Sequence, residues 1–421
     1  MRLLVIGGGG REHAICWALK KSEKVEELFC APGNAGIAQI AECVPIAVSQ
    51  FDELTRFAKE ASIDLVFVGP DDPLADGIVD AFEAAGIPAF GPNKQAAEIE
   101  GSKIFMKNLL KKYNIPTAKY ETFTDFETAL TYLKQQQAPI VIKADGLAAG
   151  KGVTVAATME EAEKALREAM VDKVFGDAGN QVVIEEFLEG QEMSILAFVD
   201  GETVKPMVPA QDHKPIFDGD KGPNTGGMGT YTPLPHIEQS VIDDAIVNII
   251  IPTAKAMVSE GRPFRGVLFA GLMITKDGPK TIEFNARMGD PETQVVLPRL
   301  KTDLVDIVLA AMNGRLGELN IEWSDEAAVC VIAASEGYPG SYPKGRAITG
   351  IAEAEAQGAL VFHAGTALKD GELVTSGGRV LGIVGRGRDI AEARARAYEA
   401  VSVIHFEGMQ NRTDIAAKAL R

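Results

Sequence analysis

Three polar side chains alternate in the stretch TIEFNARMGDPE (281–292): Glu283, Asn285 and Arg287. Residues two apart on a strand share a face, so these three point one way, and Ile282, Phe284 and Ala286 are predicted to point into a core. A carboxylate and an amide oxygen at that spacing are hard ligands suited to Mg²⁺ beside phosphates. Arg287 adds a positive donor fork two residues on. A solvated sheet face is the plainer explanation, but such faces seldom use Asn, whose strand propensity is poor.

A second stretch, KADGLAAGKGV (143–153), has the look of a phosphate-binding P-loop without its spacing. That loop needs four residues between its glycines, then Lys and Ser or Thr, then a helix. Here three residues separate Gly146 from Gly150, Gly152 follows Lys151, and a strand pattern comes next. A glycine-rich loop between antiparallel strands can instead fold over phosphates as a flap, with Lys151 at its tip and Lys143 as a second cation. Downstream, VVIEEFLEGQE (182–192) sets acids around Phe187 and Leu188. Beside a phosphate flap it reads as a nucleotide linker. Backbone groups along Glu185, Glu186, Phe187 and Leu188 would meet an adenine edge, the apolar side chains its faces, and Glu192 the ribose hydroxyls.

IGGGGREH (6–13) invites a dinucleotide reading, but neither glycine register supplies the third Gly or Ala. The second strand ends in Ala31-Pro32-Gly33, without the acid that a ribose needs. A helix start flanked by Arg11 still suits a phosphate or other anion. Residues 211–230, QDHKPIFDGDKGPNTGGMGT, show neither helix nor strand period. Structureless loops above roughly 12–15 residues are uncommon in compact domains and are usually functional or disordered. The five histidines share no metal spacing, and no GxSxG is present.

These residues need a frame, and the rest of the chain predicts one. Residues 1–100 alternate short apolar strands with helical patterns, which means a parallel α/β sheet. Ligands of such sheets bind at the carboxyl ends of strands, here 7–12, 31–36 and 69–73. Helices are predicted at 102–112, 159–171, 245–260 and 388–404, one more over 74–86, and a hairpin turning at Asp277–Gly278. Strands resume from about 325. With 421 residues, 46% of them hydrophobic, there is material for several cores. A net charge of −17 argues against a polynucleotide partner, so any anionic substrate must meet a local cluster of Lys, Arg and backbone N–H groups. Four scattered cysteines read as reduced, buried thiols. The N-terminal apolar run is too short for a signal peptide, and no apolar run reaches about 18 residues. The expected location is therefore cytoplasmic, with no membrane contact.

Taken together, GGGGREHA, PGNAG, GSK (101–103), KADGLAAGKGV, EEFLEGQE, QDHK, GPNTGGMG and GDPETQ resemble the ATP-grasp ligases, and within them the phosphoribosylamine–glycine ligase family, nearly end to end. The resemblance implies an α/β and α+β multidomain fold. Its parts would be an N-terminal α/β substrate-binding domain (1–101), a two-subdomain ATP-grasp core (102–324, flap at about 118–190) and a C-terminal mixed α/β domain (325–421). It also implies ATP as co-substrate with Mg²⁺ or Mn²⁺, and glycine and 5-phosphoribosylamine as the joined substrates, on a monomer or small homo-oligomer.

By the same resemblance Lys103, Lys143, Gly150, Lys151 and Gly152 would serve the phosphates, and Glu283 and Asn285 the metal. Arg287 would steady the glycine carboxylate or acyl phosphate. Asp212 and Asp290 are candidates for the glycine ammonium, and Asp212, His213 and Lys214 would hold substrate. Gly9, Gly10, Arg11 and Arg379 would cradle a 5-phosphate. Glu12, Asn34, Asp71, Asn224, Gly226 and Gly227 complete the expected substrate contacts. The chain departs from the family's pattern at Pro215, where a basic residue is expected, at Met288, where Phe is, and at Asp71, where Glu is. Two other readings are another ATP-grasp carboxylate–amine ligase, which the 211–230 loop argues against, and a nucleotide-binding sensor, which would need neither metal pair nor second anion site.

Overall fold

The computed structural model of the chain describes residues 1–147 and 152–420. Its first 90 residues build a parallel sheet in the order Glu42–Cys43, Glu27–Pro32, Arg2–Gly7, Leu65–Val68, Ala89–Phe90. The central strand is apolar from Leu3 to Ile6 because both its faces are covered. Leu4 and Ile6 pack with Leu54, Ala58 and Phe82, while Leu3 and Val5 pack with Ile15 and Leu19 of helix Gly10–Lys20. The chain leaves this strand to one side and returns on the other. A crevice therefore opens between the Gly7 and Gly69 ends, where ligands of such sheets bind.

Two antiparallel sheets follow. One runs Tyr120–Phe123, Val182–Glu186, Ile140–Ala144, Val153–Ala156, and it closes its own core with helices Phe126–Leu133 and Met159–Met170. The other runs Thr203–Pro206, Gln191–Asp200, Arg265–Thr275, Gly278–Asn285. Residues 187–190 are the crossover from the first sheet to the second. A five-stranded sheet ends the molecule, in the order Gln211–Asp212, Gly229–Thr232, Ala327–Ala334, Arg379–Gly387, Leu360–His363, with helix Ile390–Val403 against it.

Several expectations change in the structure. The helix over 74–86 is broken by Gly77, which sits left-handed (φ +96°) between Asp71–Asp76 and Ile78–Ala84. Helix Lys94–Gly101, capped by the Asn93 side chain, was not expected at all. The helix at 245–260 begins at Gln239 and widens over Ile246–Ile250. Pro252 follows that wider turn and cannot donate to the carbonyl four residues back.

The polar stretch 211–230 is not structureless. It holds a hairpin, Pro215–Phe217 with Lys221–Asn224, turned at Gly219 (φ +70°) and Asp220 (φ +56°). It also holds two strands of the C-terminal sheet, since Thr230, Tyr231 and Thr232 are strand formers and all are buried. On strand Gly278–Asn285 a bulge makes Ile282 an extra residue between Thr281 and Glu283. Ile282 is therefore half-buried rather than in the core, whereas Thr281, Phe284 and Ala286 are buried.

Candidate active site

The bulge has a chemical use. It turns the Ile282 carbonyl to accept from Lys143 Nζ at 3.2 Å, bringing the cation to the strand that carries Glu283. Lys143 Nζ also lies 2.5 Å from Glu185 Oε1, and Lys107 Nζ lies 2.5 Å from Glu185 Oε2. All three side chains are buried, so one carboxylate is clasped between two ammonium groups. Burial pushes the Lys107 ammonium down to about 8 against the pull of Glu185. Lys103 Nζ donates to the Gly146 carbonyl at 2.7 Å. Glu283 sits among these lysines and Lys214, whose Nζ is 3.9 Å from Glu283 Oε1 and 3.7 Å from Glu192 Oε2. Burial alone would raise the Glu283 carboxyl, but Lys214, Lys143 and Lys103 outweigh it and hold it below the ordinary range.

Asn285 and Arg287 continue the same face. Arg287 Nη2 is 3.2 Å from Asn285 Oδ1, 2.9 Å from Glu100 Oε1 and 3.5 Å from Asp71 Oδ2. The other Glu100 oxygen accepts from the Ala286 backbone at 2.7 Å. Burial raises the Glu100 carboxyl to about 7 despite Arg287. Asp71 goes the other way: burial opposes ionisation, yet Arg287 and Arg11 hold it low.

A second cluster surrounds Asp290. Arg379 Nη2 is 3.3 Å from Asp290 Oδ2, Gln294 Nε2 donates to Oδ1 at 2.8 Å, and a Cβ on Gly9 would stand 3.5 Å from Oδ2. The glycine turn and Arg379 thus meet on one carboxylate, 89 residues before Arg379 in the chain. Arg379 Nη1 also donates to the carbonyls of Gly226 (2.8 Å), Gly227 (3.3 Å) and Asp290 (3.0 Å). Asp212 packs against Gly227, where a Cβ would crowd its carboxylate. Burial, then Glu292, pushes the Asp212 carboxyl well up.

Some expected contacts are turned inward. Glu12 is buried; its oxygens accept from Gly9 N (2.7 Å) and Arg11 Nε (2.5 Å), and its stem fills the space left by Gly7 and Gly69. Asn34 donates to the Gly8 and His363 carbonyls and accepts from Gly36 N and Ile37 N, so its amide is fully engaged. Arg11 Nη1 reaches the Met288 carbonyl at 3.3 Å. The run of four glycines is mostly packing: Gly8 abuts the Gly33 backbone and Gly10 abuts Gln294. His213 is buried beside Tyr231, with burial lowering its imidazole to about 4. Glu186 accepts from Lys119 N at 3.0 Å, Phe187 is exposed and Leu188 half-buried. Asn224 ends its strand exposed, Gly152 is buried beside Ala144, and Gly150 and Lys151 lie outside the described residues.

Comparison with known proteins fits this arrangement. Three models of phosphoribosylglycinamide synthetase match in sequence: the N domain over residues 1–100, the ATP-grasp (A) domain over 101–293 and the C domain over 328–418. The chain belongs to the phosphoribosylglycinamide synthetase family. It is similar to the phosphoribosylamine–glycine ligase of Halalkalibacterium halodurans, with 54% identity over 100% of this chain and 97% of that one. The ligase of Caldanaerobacter subterraneus subsp. tengcongensis is 52% identical over 99% and 100% of the two chains. A crystal structure of the Thermotoga maritima ligase superposes with a TM-score of 0.88 at 36% identity, covering 99% and 100%. A Campylobacter jejuni biotin carboxylase shares the fold alone, at 14% identity and a TM-score of 0.74 over 97% and 92%.

In this synthetase-family chain, Glu100, Lys107, Glu292, Gln294 and Tyr338 join the site without having been expected. Glu100 stands one residue before the GSK motif, and Glu292 and Gln294 lie within GDPETQ, so these three carry a local signal. Lys107 and Tyr338 declare themselves through distant partners, Glu185 for the first and, for the second, Gly226 N donating to Tyr338 Oη across 112 residues.

Proposed function

We propose that this chain ligates glycine to 5-phosphoribosylamine, with conversion of ATP to ADP and phosphate, giving glycinamide ribonucleotide for purine biosynthesis. The observation that carries the reading is the position of Glu283 and Asn285. On one side of them stand Lys103 and Lys143, and on the other Arg287 with Asp71 and Glu100. Cations for a polyphosphate thus adjoin a cation for a carboxylate.

The donor set suits Mg²⁺ or Mn²⁺: an ionised carboxylate and an amide oxygen on one face. Gly271 lies across from Glu283, where a Cβ would come within 3.2 Å of its Cγ. Among the described residues no group of three or more His, Cys, Asp or Glu could hold an ion, so phosphate and water oxygens would fill the remaining positions. When bound, the metal would neutralise charge on the transferring phosphate. Lys103 and Lys143, with Lys151, neutralise the rest; such a step asks mainly for positioning and charge balance. Arg287 aims the glycine carboxylate at the γ-phosphorus. A carboxylate oxygen forms the new P–O bond, and the bond to the β-phosphate bridge breaks, leaving glycyl phosphate and ADP. The amine of 5-phosphoribosylamine then attacks the acyl carbon, phosphate departs, and the amine gives up one proton.

Asp290, whose carboxyl burial would raise but Arg379 holds below the ordinary carboxylate range, supplies negative charge for the glycine ammonium, and Asp212, whose carboxyl burial and Glu292 push up, gains that charge only as the ammonium binds. Arg379 and the Gly9–Arg11 turn serve the 5-phosphate, with Asp290 and Gln294 fixing where they meet. The residues past 186, Phe187 and Leu188 included, offer the adenine an apolar crossover. The working division remains 1–101, 102–324 and 325–421, with a cytoplasmic location; among the described residues no helix is long and apolar enough to cross a membrane. ADP release with ATP, Mg²⁺ and a panel of amino acids, with and without 5-phosphoribosylamine, tests the reading. Release that depends on glycine and the amine together is expected; release indifferent to glycine would end it.

A further inference from the structure

Arg412, near the end of the chain, is 1% exposed. Its Nη1 donates to the Pro215 carbonyl at 3.1 Å, beside Lys214. Its Nη2 is 3.1 Å from Asp220 Oδ1, and Nε and Nη2 form a fork on Asp414, each at 2.7 Å. Asp414 also accepts from Gly219 N at 2.8 Å, Asp218 accepts from Thr413 N at 2.8 Å, and Lys418 Nζ donates to Asp220 at 2.6 Å. Ile415 packs on Gly229. The tail 412–418 therefore grips the tip and base of the hairpin inside the polar stretch.

That hairpin needs a grip. Among the described residues its two strands pair only with each other, and an isolated two-stranded hairpin is marginal in water. Ile216 is buried, but Phe217 is 56% exposed. Yet both ends of the hairpin enter the site. Lys214 leads in, reaching Glu192 and Glu283; Gly226 and Gly227 lead out, to Arg379 and Asp212. Thr225 N and Oγ1 both donate to the Lys214 carbonyl, at 2.9 and 2.7 Å, so the ends are tied together.

We propose that residues 412–418 are a positioning element for the loop 212–227: through Arg412, Asp414 and Lys418 they set where Asp212, Lys214 and the Gly226–Gly227 backbone stand, and so govern use of the carboxylate substrate. This rests on the reading that the chamber takes glycine. The lysines assigned to ATP, Lys103 and Lys143, are held by Gly146, Ile282 and Glu185 and owe nothing to the tail. Loosening the tail should therefore separate glycine use from ATP use.

Asp220→Asn removes the charge that both Arg412 and Lys418 meet, at a position open to solvent; Arg412→Met removes the buried fork. Both should lower kcat/KM for glycine about tenfold, leave KM for ATP within twofold, and speed amide hydrogen exchange across 215–227. If Arg412→Met does not fold, Asp220→Asn decides. Wild-type kcat/KM for glycine with faster exchange would overturn the proposal, as would unchanged exchange, or an equal rise in KM for ATP. A wild-type chain that prefers another amino acid would sink the glycine reading alone, because the tail is then tested on that acid. One that turns over no carboxylate removes both.

Discussion

Lys143 Nζ and Glu185 Oε1 stand 2.5 Å apart in a buried ion pair whose other oxygen is held by Lys107. The cluster carries one net positive charge when all three groups are ionised, and it faces the strand of Glu283. Glu185 thus acts through its neighbours: its side chain fixes a lysine.

Glu185→Gln keeps the shape but strands two buried cations. Breaking a buried pair by removing one partner costs on the order of 3–5 kcal/mol. Tm should fall, and ATP should restore more of it than it adds to the wild type, because the nucleotide supplies the missing negative charge. Thermal unfolding with and without ATP measures both; an unchanged Tm would show that the pair contributes nothing net.

Glu283→Gln should spare the fold while weakening Mg²⁺ use. Loss of one preorganised electrostatic group in such a site costs on the order of 10²–10³ in kcat. A Mg²⁺ titration of turnover checks it. Near-normal turnover at limiting metal would remove Glu283 from the metal pair.

Glu100 should leave a mark on the pH profile of stability. Its carboxyl is raised to about 7 in the folded chain, above its unfolded value. The folded state therefore binds that proton more tightly. Its contribution is full at low pH and is lost as pH rises from about 4.5 through 7. At 1.36 kcal/mol per unit, the loss is about 2–4 kcal/mol. In Glu100→Gln that component disappears, so the stability gap between wild type and variant should change across this window and level off above it. Parallel unfolding curves from pH 5 to 8 would contradict the assignment.

Arg379→Ala should raise KM for 5-phosphoribosylamine and leave KM for ATP nearly unchanged. Losing a charge-assisted contact costs about 1.5–3 kcal/mol. Because Arg379 also ties Gly226, Gly227 and Asp290, some loss of kcat is expected with it. An effect confined to ATP would move Arg379 to the other substrate.

Local patterns carried the parallel sheet, the flap strands and the alternation of Glu283, Asn285 and Arg287, because each rests on neighbours two to four residues apart. The Ile282 bulge escaped, since nothing in TIEFN marks the extra residue; only pairing with Gly271 and Leu272 reveals it. The hairpin at 215–224 escaped for a longer-range reason. Its sequence is rich in Gly, Asp and Pro, and its support comes from Arg412 and Asp414, about 195 residues on. Glu12 and Asn34 were expected among the substrate contacts by the resemblance alone. Gly7 and Gly69 instead make room for the Glu12 side chain to fold back, and Asn34 spends its amide on the backbone of Gly8, His363, Gly36 and Ile37. Lys107 is a single charge on an otherwise ordinary segment, and its meaning lies in the distant Glu185.

The central claim is that Lys143, Arg287 and the Glu283–Asn285 pair converge where a γ-phosphate meets a carboxylate. Glycine labelled with ¹⁸O in its carboxylate tests it directly, with ATP, Mg²⁺ and 5-phosphoribosylamine all present. Activation through glycyl phosphate requires one labelled oxygen to leave with the released phosphate, which mass spectrometry of that phosphate reads. Label confined to the amide product and residual glycine, with none in phosphate, would contradict the account even if ADP is formed.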